Sequence, residues 1–411
     1  MIESIDDKKR DRFYIYAAAA ARSVGVSFLS VIFGLYLAER NMGPAQIGIL
    51  VGMGLGANAL ATFFVSFGAE RFGRKKTLLT LTLMAAFGAV FLAFAVDFMG
   101  LMLASSLGLV NAMGRDRGPC ASLDQSILPS TTTSEKRTWT FAVYNVALDI
   151  GHASGSLLAM LPSVLKRNFY FSQLASYQSG LFFYAGLLLL SFFFYLRLAG
   201  KLLPVKKISK IEISAESKKI ISKISLLFAI DSLGSGFLTN ALISYWFFKR
   251  FGVREEMLGP IFFAVHLASG ISHFAAAWLS KKIGLINTMV FTHIPSSLFL
   301  LTIPFASSLP VAAGLFVLRA SLLEMDVPVR QSYVMAVVRE EERTFASGVT
   351  GFTRLVGWTA GPFFAGALMK GLSLSTPLFI GGGLKIIYDL LLFKLFRHRK
   401  APEESSRNEN S

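Results

Sequence analysis

Arg22, Asp149, Asp231, Arg319 and Arg354 each interrupt a stretch of sequence that is otherwise almost free of charge. In apolar surroundings an ionisable side chain is costly unless it is paired or wetted, so each of these marks a candidate site. The chemistry open to such residues is proton exchange and the holding of opposite charge. Asp149, in NVALDIGHASG, is the first candidate for a carboxylate that takes up and releases a proton, because low-dielectric surroundings penalise its charged form. His152, three residues on, could relay that proton. Arg354, in FTRLVGWTAG, suits an anionic group on a small solute. Arg319 lies near the middle of its apolar run, where it could face a cavity.

Further charges cluster at the ends of such runs. GRDRG supplies Arg115, Asp116 and Arg117, and EMDVPVR supplies Glu324 and Asp326. By helical rise both lie roughly 20–25 Å from one membrane surface, which makes all five candidates for a gate at the opposite, cytoplasmic mouth. Arg22 and Asp231 occupy matching words, ARS and IDS, with opposite signs. They are expected to face or pair with each other as a gate or proton-sensitive latch. Lys385 and Asp389, four residues apart on one helix, are expected to neutralise one another. His266, His273 and His293 have no clustered partners and read as packed residues rather than metal ligands. There is no phosphate-binding loop of the form GxxxxGK[ST], and HFAAAW is not a metalloprotease pair. No catalytic residue, metal site or cofactor is expected, and the single cysteine, Cys120, allows no internal disulfide.

The elements that must hold these residues follow from composition. The chain is 53% hydrophobic and 16% charged, with a mean hydropathy of +0.55. Soluble chains carry roughly 25% charged residues, so much of this surface must face lipid. Runs of the length needed to cross a bilayer fall at 13–38, 45–67, 77–96, 100–123, 138–163, 176–197, 224–248, 257–280, 286–306, 309–334, 344–369 and 374–396. The fold class expected is therefore all-α integral membrane, with twelve transmembrane helices. Lys and Arg gather in the gaps on one side, which puts those gaps and both termini in the cytoplasm of a multi-pass protein of the cell membrane. The formal charge of +16 then calls for an anionic inner leaflet as partner, not nucleic acid. The start, MIESIDDKKRDR, is charged, and the run after it is too long for a cleavable signal.

The expected division is a cytoplasmic N-terminus at 1–12, a six-helix half at 13–199, a cytoplasmic central loop at 200–223, a second six-helix half at 224–396 and a disordered polar tail at 397–411. The loop holds seven lysines against two glutamates, as suits a linker or amphipathic piece at an anionic leaflet. The halves are copies. DQSILPSTTTSEKRT, from Asp124, aligns without gaps on RQSYVMAVVREEERT, from Arg330, and ARSVGVSF matches IDSLGSGF. Carrying the first register on sets Gly151 over Gly357 and Gly155 over Gly361. Weak internal symmetry of this kind builds many secondary transporters, with the solute site between repeats near the bilayer midplane.

Between the second and third runs stands SFGAERFGRKK. It resembles the signature of the major facilitator superfamily, roughly G-x-L-A-D-R-x-G-R-R/K. Ala69, Arg71, Gly73, Arg74 and Lys75 match, while Ser66, Gly68 and Glu70 replace Gly, Leu and Asp. The resemblance implies two pseudosymmetric six-helix bundles, and a cytoplasmic latch built from Glu70, Arg71, Gly73 and Arg74. GVTGFTRLVGWTAGPFFAG is similar to a glycine pattern of drug antiporters in that superfamily, through Gly348, Gly357, Gly361, Pro362 and Gly366. There the pattern belongs to the fifth helix; here it falls in the eleventh, and close helix packing explains the small residues equally well. The function implied is a secondary transporter, driven by the proton gradient, probing the two sides by alternating access as a monomer. Export of small organic or amphipathic compounds leads over uptake of a small anionic or zwitterionic nutrient, with a non-transporting sensor or scaffold as the reading from another class.

Overall fold

The computed structural model describes residues 5–133, 136–199, 213–339 and 342–397. Most of the expected central loop and nearly all of the expected tail lie outside them. The helices in chain order are α1 (Ile5–Glu39), α2 (Pro44–Phe72), α3 (Arg74–Phe94), α4 (Phe98–Leu107), α5 (Pro119–Ile127), α6 (Arg137–Leu158), α7 (Leu161–Phe169), α8 (Gln173–Leu196), α9 (Ala215–Gly236), α10 (Asn240–Phe251), α11 (Glu255–Ile283), α12 (Leu285–Thr302), α13 (Leu309–Leu323), α14 (Asp326–Ala336), α15 (Arg343–Gly371) and α16 (Thr376–Phe396). There is no strand among the described residues. Eight candidate spans among them are long and apolar enough to cross a membrane, and α4 and α13 are shorter apolar helices. α16 carries Lys385, Asp389 and Lys394 within its length, so charge interrupts its hydropathy.

The chain forms two compact units. One comprises Met1–Lys206 with Thr239–Phe263, the other Lys207–Leu238 with Ala264–Ser411. Thr239–Phe263, expected in the second half, therefore packs with the first unit. There α10 lies so close to α1 that a Cβ on Gly34 would come within 2.1 Å of the Ala241 carbonyl oxygen. The core of the first unit gathers Ile15, Ala18, Leu78, Tyr144 and Tyr195, and that of the second gathers Ile224, Phe228, Tyr333 and Tyr388.

Within each unit the first helix of the repeat packs on the fifth through small residues. In the first unit, Gly151 and Gly155 of α6 meet Ser23 and Val24 of α1, and a Cβ on Gly155 would lie 2.2 Å from the Val24 carbonyl. In the second, Gly357 and Gly361 of α15 meet Ser232 and Gly236 of α9, at 2.1 Å and 2.4 Å by the same measure. Lipid tails give helices no hydrophobic drive to associate, so close backbone approach and dispersion must hold such pairs. The repeat-aligned glycines thus have a packing role in both halves, whereas a Cβ on Gly348 would meet nothing within 4 Å.

Four expected spans are interrupted, at 108–118, 159–160, 237–239 and 324–325. The first break is the longest. Non-helical backbone is tolerated at membrane depth only where protein covers it and satisfies its polar groups. Val110 and Ala112 are fully buried, as this requires. The Asn58 amide donates to the Leu109 carbonyl, and the Asn111 amide donates to the Arg115 carbonyl at 2.7 Å. The Asn111 side-chain oxygen accepts from the Met113 amide at 3.1 Å. Two asparagines thus satisfy three of the backbone groups in this stretch.

Candidate functional site

Each unit holds one buried cluster of charge, and the breaks in the helices help to build both. In the first unit Arg22 of α1 is 5% exposed. Its guanidinium donates from Nε to Asp116 Oδ2 at 2.7 Å, from Nη2 to Asp124 Oδ2 at 2.8 Å, and from Nη1 to the Tyr195 hydroxyl. Tyr195 donates in turn to Asp124 Oδ1 at 2.9 Å, and Tyr144 donates to Asp124 Oδ2 at 3.4 Å. The planar fork of arginine suits this triple engagement in a way a lysine would not. His152 Nε2 accepts the Asp116 amide proton at 2.9 Å, which assigns the ring proton to Nδ1. Two carboxylates share one guanidinium, so the fully ionised trio carries one surplus negative charge.

A cavity of about 40 Å³ lies beside this cluster, lined among others by Arg22, Asn58, Thr82, Asn111, Asp116 and Tyr184. That volume admits roughly one or two water molecules. Pockets for drug-sized solutes run to about 300–1,000 Å³. The cavity is sized for water and not for a drug-sized solute.

In the second unit Asp231 of α9 takes Lys385 Nζ at 2.7 Å on one oxygen and Arg330 Nη1 at 3.1 Å on the other. Arg330 also pairs with Asp326 at 2.7 Å, and Lys385 donates to Ser235 at 2.8 Å. His293 of α12 holds Asp389 through Nδ1 at 2.9 Å, and its Nε2 lies 3.9 Å from Asp231 Oδ1. An imidazole thus sits between two carboxylates, all of them buried. Phe228 lies under Arg330 at 5.3 Å, and Arg354 lies over the Trp358 ring at 4.8 Å. Cations over aromatic faces at these separations are attracted by the ring quadrupole.

The two clusters are related by the repeat. Arg22 aligns with Asp231, and Asp124 aligns with Arg330. The ion pair is kept at the same place in each half, with its polarity reversed. This changes several expectations. Arg22 and Asp231 take partners within their own units in place of the expected pairing with each other. Lys385 turns to Asp231 and Asp389 to His293, so the expected i,i+4 neutralisation gives way to ties between helices. His293, read as a packed residue, is part of the cluster. His152 serves the Asp116 amide through Nε2. Asp149 and Arg354 are half-buried, while Arg319 is buried with its guanidinium 5.7 Å from the Phe316 ring.

The expected gate residues divide by burial. Arg71 is exposed, Arg115, Arg117 and Glu324 are half-buried, and Asp116 and Asp326 are buried in the ion pairs above. The Glu70 side chain lies outside the described residues. Gly73 has a φ of 86°, a left-handed turn that lets α3 start one residue after α2 ends. Arg74 is buried and donates to the Ser126 carbonyl at 3.3 Å. Lys75 donates to the carbonyls of Leu196 and Leu198 at 2.9 and 2.6 Å. A cation at a helix C-terminus satisfies carbonyls that have no intrahelical partner and meets the negative end of the helix dipole. Asp124, Arg330, Tyr144 and Tyr195 were not singled out by sequence reasoning. The signal for the first two was present: they open the repeated words DQS and RQS, and they reverse sign as Arg22 and Asp231 do. Among the described residues no group of three or more His, Cys, Asp and Glu is placed to hold a metal.

The sequence profile described as Major Facilitator Superfamily matches residues 15–323 and 224–411. A curated relative, an uncharacterized membrane protein of Saccharomyces cerevisiae, is 22% identical and aligns over 94% of this chain and 94% of its own. Among solved structures, a bacterial homologue of the human lysosomal transporter Spinster, inward-facing and occupied, superposes with a TM-score of 0.77 at 14% identity, covering 94% of this chain and 96% of its own. A variant of the nucleoside transporter NupG gives 0.73 at 14% identity over 94% and 100%. The human organic anion transporter TETRAN gives 0.63 at 16% identity over 94% and 99%. Likeness at these identities shows the fold, and the profile covers both halves of the sequence. The chain is a multi-pass membrane protein that belongs to the Major Facilitator Superfamily of transporters.

Proposed function

We propose that this chain is a secondary transporter that exchanges a small organic or amphipathic solute for protons by alternating access, exporting it across the cell membrane. The observation that carries the proton coupling is His293 set between Asp389 at 2.9 Å and Asp231 at 3.9 Å, with Asp231 itself holding Lys385 and Arg330. An imidazole there can pass a proton between carboxylates, and protonating Asp231 would loosen both of its cations. The surplus carboxylate around Arg22 offers a second place for a proton. Solute class is supported by the matched transporters, whose names record a nucleoside and an organic anion as cargo. A second reading, uptake of an anionic or zwitterionic nutrient, is favoured by Arg354 stacked over Trp358 at 4.8 Å. Both termini are assigned to the cytoplasm, and Arg71, Arg115, Arg117 and Glu324 keep their proposed place at the cytoplasmic gate.

The test is proton movement in proteoliposomes, with a pH dye in the lumen and anionic, zwitterionic and cationic solutes outside. Lumenal alkalinisation as solute enters means antiport, and acidification means symport. Asp389→Asn and His293→Gln are expected to abolish the pH change while solute counterflow persists. Coupling that survives in both variants moves the proton path away from this cluster, with Asp149→Asn the next variant to try. Silence across the panel, from folded protein, would favour the sensor or scaffold reading.

A further inference from the structure

We infer that the outward face of α3 binds one anionic phospholipid, with an acyl chain in the groove beside α4 and the headgroup on Lys76. The groove exists because α4 stops short. Gly88 of α3 lies so near the chain beyond Leu107 that a Cβ on it would come within 2.1 Å of the Gly108 Cα. From there the chain turns into the buried stretch 108–118. It resumes as α5 on another flank of α3, where the Thr82 hydroxyl meets the Cys120 thiol at 3.7 Å. The part of α3 that precedes Gly88 is thereby left with an outer face beside which α4 does not continue. The resulting groove has a volume of about 530 Å³ and is lined by Thr80, Leu83, Met84, Phe87, Phe91 and Leu107 along with Gly88.

Three features select the occupant. The lining is apolar apart from one hydroxyl, and Phe87 is 67% exposed, so the groove opens toward lipid and not toward the clusters described above. From Thr80 to Phe91 the helix rises roughly 16 Å at 1.5 Å per residue, close to half of a hydrocarbon core of about 30 Å. The groove begins about one turn past Lys76 and is about as long as one leaflet's hydrocarbon is thick, within reach of a single extended acyl chain. At its end the stripe formed by Thr80, Leu83, Phe87 and Phe91 continues, one helical turn earlier, to Lys76. Lys76 is exposed, whereas Arg74 is buried and Lys75 is committed to the carbonyls ending α8. The start of α3, which Gly73 leaves without a side-chain cap, adds the positive end of its helix dipole at the same depth. An apolar slot of leaflet length ending in a base fits an anionic phospholipid and gives a zwitterionic one no comparable headgroup attraction.

The test uses the full-length chain in mild detergent, titrated by native mass spectrometry with phosphatidylglycerol and phosphatidylcholine of equal chain length. One phosphatidylglycerol should be retained in preference by roughly fivefold, the scale of one basic residue at an anionic surface. Lys76→Gln, a change at an exposed position, should bring retention down to the level of phosphatidylcholine. In a Phe87→Trp variant, phosphatidylglycerol brominated on its acyl chain should quench the added tryptophan more strongly than brominated phosphatidylcholine. Equal retention of the two lipids by wild type and Lys76→Gln would overturn the site. So would equal quenching, full displacement by glycerol phosphate alone, or a lipid-free dimer in which a second copy covers this face.

Discussion

Arg22 shows how much depends on a single side chain. It is the only cation paired with Asp116 and Asp124 among the described ion pairs, and all three are buried. Removing one member of a buried ion pair costs about 3–5 kcal/mol, because the partner stays behind as an uncompensated charge. Arg22→Met should therefore lower the unfolding temperature in detergent sharply. Adding Asp124→Asn to it should restore a measurable part of the loss. A double variant no more stable than Arg22→Met would mean that Asp124 is not the stranded charge. The sequence displayed Arg22 and Asp231 plainly, since a charge in an apolar run stands out by itself. It marked Asp124 and Arg330 less plainly: they sit near run ends where charge is ordinary, so only their sign reversal in the repeated words DQS and RQS pointed to them, and the fold brings them inward.

Helix existence was legible from hydropathy, and helix continuity was not. Each of the twelve expected spans falls on helix, yet the stretch 108–118 is irregular, its backbone satisfied in part by Asn111 within it and by Asn58, 51 residues before Leu109. Helix ends were likewise hidden. Glu342, just before α15, accepts the Ser214 amide at 2.7 Å and the Ser217 hydroxyl, tying the start of α9 to the start of α15 outside the membrane-spanning part. Those hydrogen bonds hold its carboxyl down to about 2, against an ordinary value of 4.5. A carboxyl lowered on folding contributes stability that is fully present above the ordinary value. The contribution is lost as pH falls from there through about 2. Between those limits wild type should lose stability more steeply than Glu342→Gln, as followed by thermal unfolding at each pH. Parallel curves would show that the tie does not depend on the charge.

Seen across the whole chain, duplication with inverted charge is the main organising fact. Both halves keep an ion pair between the first and fourth helices of the repeat, and both keep glycine contacts between the first and fifth. The copies were readable from short matching words, whereas the regrouping of Thr239–Phe263 with the first unit was not, since it arises from packing against α1. The sequence separation within the Arg22 cluster also sets a timetable. Asp116 and Asp124 follow Arg22 by 94 and 102 residues. At about 5–20 residues per second of synthesis, α1 reaches the membrane roughly 5–20 s before its counter-ions exist. During that interval the guanidinium must shelter at the headgroups or within the insertion machinery, because hydrocarbon alone would not hold it. Nascent chains arrested before Asp116 should accordingly anchor α1 less firmly than chains arrested after Asp124, and Arg22→Leu should erase the difference in an alkaline extraction assay. Equal anchoring at both arrest points would mean that α1 is secured without its partners. The same ion pair that fixes the finished unit therefore makes its first helix a late arrival in the bilayer, dependent on chain not yet translated.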